Sequence, residues 1–134
     1  MIIVLDTNVL ISGIINPSGP PGRIVDLLRT GEVITAVDDR ILNEYNDALN
    51  RPKLSKYFSP GDVKRIMEYF TNNSEIVVPA IQISGLPDPH DAPFAETALT
   101  LNVPLVTGNT KHFSTPKSRT LVVETPSEFI ARFE

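Results

Sequence analysis

Four acids stand where a parallel α/β chain can bring distant residues to one edge. Asp6 directly follows the apolar run Ile2–Leu5, Glu44 lies inside a helical pattern, and Asp88 and Asp91 fall in the loop "SGLPDPHDAP". Hydroxyl and amide side chains flank them: Thr7 and Asn8 in "VLDTNVLIS", and Thr107 and Asn109 in "VPLVTGN". Carboxylates gathered at one cavity repel one another, and an unpaired buried charge is costly. Such a cluster makes physical sense when a divalent cation neutralises it, and that cation can activate water and offset charge on a phosphodiester. Each residue also has a purely structural reading. Asp6 and Asp91 could cap helices, and Asp88 could be a turn residue. Glu44 could be a solvated helix residue paired with Arg40, and Asn109 a turn residue at positive φ after Gly108.

Composition narrows the chemistry. The chain has no cysteine and two histidines, His90 and His112, so thiolate-bound zinc is excluded and a histidine-rich site is disfavoured. Oxygen ligands point to magnesium or manganese. No apolar run approaches the ~20 residues of a membrane span, and the first residues lack a signal-peptide pattern, so a cytoplasmic protein is expected. At 134 residues, 41% hydrophobic and 21% charged, the chain is expected to form one domain, residues 1–134. A net charge of -4 argues against holding nucleic acid by bulk attraction. Local charge differs: Arg51, Lys53, Lys56, Lys64 and Arg65 face one acid, Asp62, within the same stretch, and Lys111, His112, Lys117 and Arg119 form a second basic run. Either run could contact phosphate or simply be a solvated face.

The elements that must position these groups alternate. Ile2–Leu5 reads as a central parallel strand, and Asn8–Ile15 starts a helix straight after it. "NPSGPPG" is a turn cluster, and Gly22–Arg29 has apolar residues at helical spacing closed by Gly31. Val33–Val37 is a second strand. Asp38 or Asp39 then caps a helix with Ile41, Leu42, Tyr45, Ala48 and Leu49 on its apolar face, ending near Asn50 before Pro52. Ser59-Pro60 opens another helix. Glu75–Val78 is a third strand, Ala92–Asn102 a helix, Val103–Asn109 a fourth strand and Arg119–Glu124 a fifth. Thr125 and Glu128 form a capping box for a last helix. The pattern predicts a three-layer α/β/α sandwich with a mainly parallel sheet of four to five strands, whose functional edge lies beyond the carboxyl ends of the strands.

"VLDTNVLIS", a lone Glu in a helix, "DPHDAPFAETAL" and "PLVTGNTKHF" together resemble the PIN domain, the PilT N-terminal nuclease fold, and most of all its small prokaryotic, VapC-like toxins. The resemblance runs from Ile2 to "LVVETPSEF". It implies a Mg²⁺- or Mn²⁺-dependent endoribonuclease acting on single-stranded RNA, a neighbouring antitoxin and a homodimer or higher assembly. The family's first acid falls on Asp6, with Thr7 and Asn8 supporting it, the second on Glu44 and the third on Asp91. Asp88 stands where many relatives carry an additional acid. The family's hydroxyl falls on Thr107. The fourth acid position holds Asn109, a departure, and some toxin-like members with Asn there have an Asp before the following Phe, where this chain has His112. Asp6 and Asp91 are therefore expected to hold the metal with Glu44, directly or through water, and Glu44 or Asp88 to accept a proton. Lys53, Lys56, Lys64, Arg65 and Lys111 are candidates for the RNA backbone. Two other readings compete: a PIN fold that serves as a scaffold without catalysis, and a phosphoryl-transfer enzyme using Asp6 as nucleophile, in which Asn8 would occupy the place of a usual second Asp.

Overall fold

The computed structural model describes residues 1–113 and 120–134. Lys117 and Arg119 of the second basic run, and the start of the expected fifth strand, lie outside the described residues. Five strands form one parallel sheet: β1 (Ile2–Leu5), β2 (Ile34–Val37), β3 (Glu75–Ile76), β4 (Leu105–Val106) and β5 (Val123–Glu124), in the order β3-β2-β1-β4-β5. The helices are α1 (Thr7–Ile15), α2 (Pro20–Thr30), α3 (Asp39–Leu49), α4 (Pro60–Asn73), α5 (Ala92–Leu101) and α6 (Pro126–Phe133). Short 3₁₀ turns occupy Pro52–Leu54, Pro89–Asp91 and Thr110–Phe113. The expected three-layer α/β architecture is the one observed.

The central strand explains the rest. Ile3, Val4 and Leu5 are fully buried, as a continuous apolar run must be when helices cover both faces of a parallel strand. β1 pairs with β2 on one side and β4 on the other, with Leu5 opposite Val106. Chain direction across the sheet therefore reverses at the β1–β4 pair, and right-handed crossover requires α5 to cross on the face opposite α1–α4. Ligands of open parallel sheets gather at such a reversal, outside the carboxyl ends of the strands.

Helix ends follow their capping chemistry. Asp38 accepts from the Ile41 amide at 2.9 Å and so is the cap of α3, while Ser59 with Asp62 and Thr125 with Glu128 make the capping boxes of α4 and α6. Gly31 closes α2 at φ 81°, a left-handed conformation that glycine adopts without steric cost. The expected third, fourth and fifth strands prove longer than their ladders. Each ladder is two residues, because β3 and β5 are sheet edges and β4 begins just after Pro104, which has no amide proton to donate.

Candidate functional site

Asp6 and Thr107 are the first residues beyond the paired ends of β1 and β4. The Asp6 amide donates to the Val106 carbonyl at 3.0 Å, continuing the ladder and bringing the two side chains together. Thr107 Oγ1 donates to Asp6 Oδ2 at 2.6 Å and accepts from the Asn109 amide at 3.1 Å. Thr107 is fully buried, so this hydroxyl is a rigid prop. On the other side, Tyr45 of α3 reaches across the core and donates its hydroxyl to the Leu5 carbonyl at 2.6 Å. The sequence pattern marked Tyr45 as core; its hydroxyl also pins the strand end that carries Asp6. Burial, followed by the charge of Asp6, pushes the Tyr45 pKa far up, so it acts there as a neutral donor.

Asp6 and Asp91 occupy the N-cap positions of α1 and α5, yet neither side chain makes a capping hydrogen bond. This separates them from Asp38, Ser59 and Thr125, which do cap, and disposes of the capping reading for both. Asp91 Oδ2 is buried and without a hydrogen bond among the described residues. His112 Nδ1 stands 3.1 Å from that oxygen, at ion-pair distance. The other ring nitrogen, Nε2, lies 2.9 Å from Asn109 Nδ2. One connected path thus joins Asp6, Thr107, Asn109, His112 and Asp91.

Burial is the largest influence on both carboxylates, and His112 opposes it at each. Burial raises the pKa of Asp6, against the opposing effects of the Thr107 hydroxyl, the Thr7 amide and His112. Burial also raises that of Asp91, with the charges of Asp6 and Asp88 adding to it and His112 opposing. Helix N-termini under both carboxylates favour the charged forms but act only locally.

The other expected site residues are placed differently. Asp88 accepts from the His90 amide at 2.9 Å and from the His90 ring, which lowers its pKa and makes it the cap of the Pro89–Asp91 turn. Glu44 is half-exposed on α3 and its Oε1 is 3.9 Å from Arg51, not paired with Arg40 as the solvated-helix reading supposed. Arg40 instead bonds Asp38 at 2.7 Å and Glu96 of α5 at 2.8 Å. Thr7 is buried with an unpartnered hydroxyl, and Asn8 is exposed in the first turn of α1. Asn109 is not at positive φ, which among the described non-glycine residues belongs to Asn102. Of the basic candidates, Lys53, Lys56 and Lys111 are exposed, Lys64 lines a groove between α3 and α4, and Arg65 lines a different one between α2 and α4 while pairing with Asp62 at 2.5 Å.

Does this set fit a divalent cation? Among the described residues no three His, Asp or Glu side chains stand close enough to hold one alone. Two partly buried carboxylates with raised pKa, one of them with a buried oxygen lacking a hydrogen bond among the described residues, nonetheless fit a hard cation that keeps several waters and takes one or two carboxylates, as Mg²⁺ does.

The sheet order, the reversal at β1–β4 and the acids beyond it define a known class. A sequence profile described as "PIN domain" matches residues 2–111, and the chain belongs to the PIN domain family. It is 32% identical over 141 aligned residues to the uncharacterized protein MJ1680 of Methanocaldococcus jannaschii, covering 98% of this chain and 91% of that protein. Its fold is similar to a chain of VapBC2 from Rickettsia felis bound to a promoter DNA fragment, with TM-score 0.60 and 20% identity over 93% of this chain and 98% of that one. It is also similar to a chain of VapBC-1 from nontypeable Haemophilus influenzae, with TM-score 0.60 and 21% identity over 95% and 99%. A chain of FitAcB from Neisseria gonorrhoeae aligns at TM-score 0.59 and 19% identity over the same fractions. No helix among the described residues is long and apolar enough to cross a membrane.

Proposed function

We propose that this single-domain protein is a metal-dependent endoribonuclease that hydrolyses single-stranded RNA in the cytoplasm, and that it is the toxin of a toxin–antitoxin pair. The observation that carries the reading is the pair of uncapped, partly buried carboxylates, Asp6 and Asp91, beyond the carboxyl ends of the strands, neither balanced in the way its helix position offers.

In this reading Asp6 and Asp91 hold Mg²⁺ or Mn²⁺, with Glu44 reaching it through water. When bound, the cation lowers the pKa of an attacking water and offsets charge on the phosphodiester. Thr107 fixes the Asp6 rotamer through its 2.6 Å bond, and Asn109 holds the Thr107 oxygen from behind. Glu44 accepts the proton of the water, since Asp88 is committed to its turn and its lowered pKa makes it the weaker base. Thr7 and Asn8 keep the first turn of α1 beneath Asp6. The three similar structures are of pairs named VapBC or FitAcB, which supports an antitoxin partner here; a homodimer belongs to the same reading as an expectation from the family resemblance.

Cleavage of a labelled single-stranded RNA by the purified chain tests this. Activity is expected with Mg²⁺ or Mn²⁺, abolished by EDTA and reduced at least 100-fold by Asp6→Asn. RNA cleavage indifferent to both EDTA and the substitution would sink the proposal. The scaffold reading draws on one observation, the amide of Asn109 in an acid's place, and it would be favoured by a folded protein whose melting temperature ignores millimolar Mn²⁺.

A further inference from the structure

Of the three tyrosines and six phenylalanines in the chain, Tyr57 alone is exposed. It lies in "RPKLSKYFSPG", residues 51–61, a stretch that holds Arg51, Lys53 and Lys56 and no acid. Lys53 and Lys56 are exposed, and the Lys56 ammonium stands over the Tyr57 ring, 5.2 Å from its centre. An aromatic ring among cations offers a stacking plane and phosphate contacts side by side.

The fold anchors this ring and sets it beside the acids. The Tyr57 and Phe58 amides both donate to the Leu54 carbonyl, at 2.9 and 3.1 Å, extending the 3₁₀ turn Pro52–Leu54. Leu54 and Phe58, before and after Tyr57, are buried in one cluster with Ile11 of α1, Leu49 of α3 and Val63 of α4. Tyr57 therefore faces outward from a turn whose other apolar side chains join the core. Ile11 is five residues beyond Asp6, about 7.5 Å along the helix. At the start of the same turn, Arg51 Nη2 is 3.9 Å from Glu44 Oε1. The turn thus flanks the candidate site on the side of α1 and α3.

We propose that Tyr57 is a base-stacking residue for single-stranded RNA, with Lys53 and Lys56 taking neighbouring phosphates, so that the strand is led over this turn past Glu44 towards Asp6 and Asp91. It rests on the proposed function for its ligand, and not on cleavage. The chemistry of the patch selects that ligand. A flat ring calls for an exposed flat partner, and the flanking cations call for regularly spaced negative charge. A single strand carries both, whereas a duplex keeps its base faces within the stack. With Lys56 over one face of the ring, the base has the other.

The test measures binding of a short unstructured RNA to the full chain by fluorescence anisotropy, in EDTA so that nothing is cleaved. Tyr57→Ala is expected to weaken binding about tenfold. It should leave the slope of log affinity against log salt unchanged, because the ring carries no charge. Tyr57→Phe keeps the plane and should bind as the unaltered chain does. Lys53→Ala should weaken binding and flatten the slope by about 0.7. On an oligomer of abasic ribose phosphates, Tyr57→Ala and the unaltered chain should bind alike. Tyr57 is exposed while Leu54 and Phe58 hold the turn, so the variant should keep its fold, which circular dichroism would verify. RNA binding indifferent to Tyr57→Ala, an equal loss on the abasic oligomer, a loss in Tyr57→Phe as large as in Tyr57→Ala, or an unaltered chain that binds no RNA would each overturn the proposal. Tyr57-dependent binding in a chain that cleaves no RNA with Mg²⁺ or Mn²⁺ would support the stacking residue while the nuclease reading fell. Metal-dependent cleavage with binding indifferent to Tyr57 would do the reverse.

Discussion

Asp6 shows what the end of a buried parallel strand costs a carboxylate. One hydroxyl, Thr107 Oγ1, donates to it at 2.6 Å, and its helix gains no side-chain cap from it. Burial, the largest influence, raises its pKa above the usual 3.8. The folded chain therefore binds the Asp6 proton more tightly than the unfolded chain does. The stabilisation this provides is complete below pH 3.8 and is lost as pH rises through the elevated folded value. At pH 7 the ionised group weighs against the fold, as groups held for function often do. Asp6→Asn, which keeps an oxygen for Thr107, should raise the metal-free melting temperature at pH 7 by about 4 °C, equivalent to about 1 kcal/mol. The gain should shrink towards zero as pH approaches 3. Differential scanning calorimetry across that range checks it; an unchanged or lower melting temperature at pH 7 would mean that Asp6 is structurally compensated by contacts other than these.

At the scale of elements, the loop that delivers Asp91 is tied down by a charge network. Glu96 on α5 is buried, accepts from Arg40 on α3 at 2.8 Å, and accepts from the Ile83 amide at 2.8 Å; Arg40 also binds the α3 cap Asp38. Glu96→Ala would orphan the Ile83 amide and leave Arg40 with one partner. Because Arg40 is 46% exposed, the loss should be about 2 kcal/mol, below that of a fully buried pair. Urea unfolding should show it as a lower midpoint at unchanged slope, and a shift no larger than that of an exposed alanine substitution on α4 would refute it. This network was not legible in the chain, since Glu96 reads as one acid in an apolar helix, and its partners come from two other elements. Helices were legible nearly to the residue, because caps such as Ser59 and Thr125 and the terminator Gly31 are local chemistry. Strands β3, β4 and β5 were overdrawn, because an apolar run measures burial and a ladder needs a partner. Topology placed Asp6, Asp91, Thr107 and Asn109 at one edge, and they are there. The bridge from His112 to Asp91 was not visible, since it depends on a four-residue turn after β4. Nor could sequence show that Glu44 would look towards Arg51 and not Arg40.

Over the whole molecule, a net charge of -4 repels a polyanion, so RNA affinity under the proposed function must come from a few local cations. The fold does not treat them equally. Arg65 is bound to Asp62 at 2.5 Å and lines the groove between α2 and α4. Lys56 lies over the Tyr57 ring at 5.2 Å. Lys111 is exposed in the same turn as His112, next to the acids. Each phosphate contact releases about 0.7 of a counterion from single-stranded nucleic acid, so losing one lowers the slope of log affinity against log salt by that amount. Lys111→Ala should therefore weaken binding of a single-stranded RNA and flatten its salt dependence by about 0.7, while Arg65→Ala should leave the slope unchanged because Asp62 already neutralises that guanidinium. Fluorescence anisotropy over a KCl series, in EDTA so that nothing is cleaved, separates the two. Equal slopes for Lys111→Ala and the unaltered chain would move the RNA path away from the β1–β4 edge and, with it, away from Asp6 and Asp91.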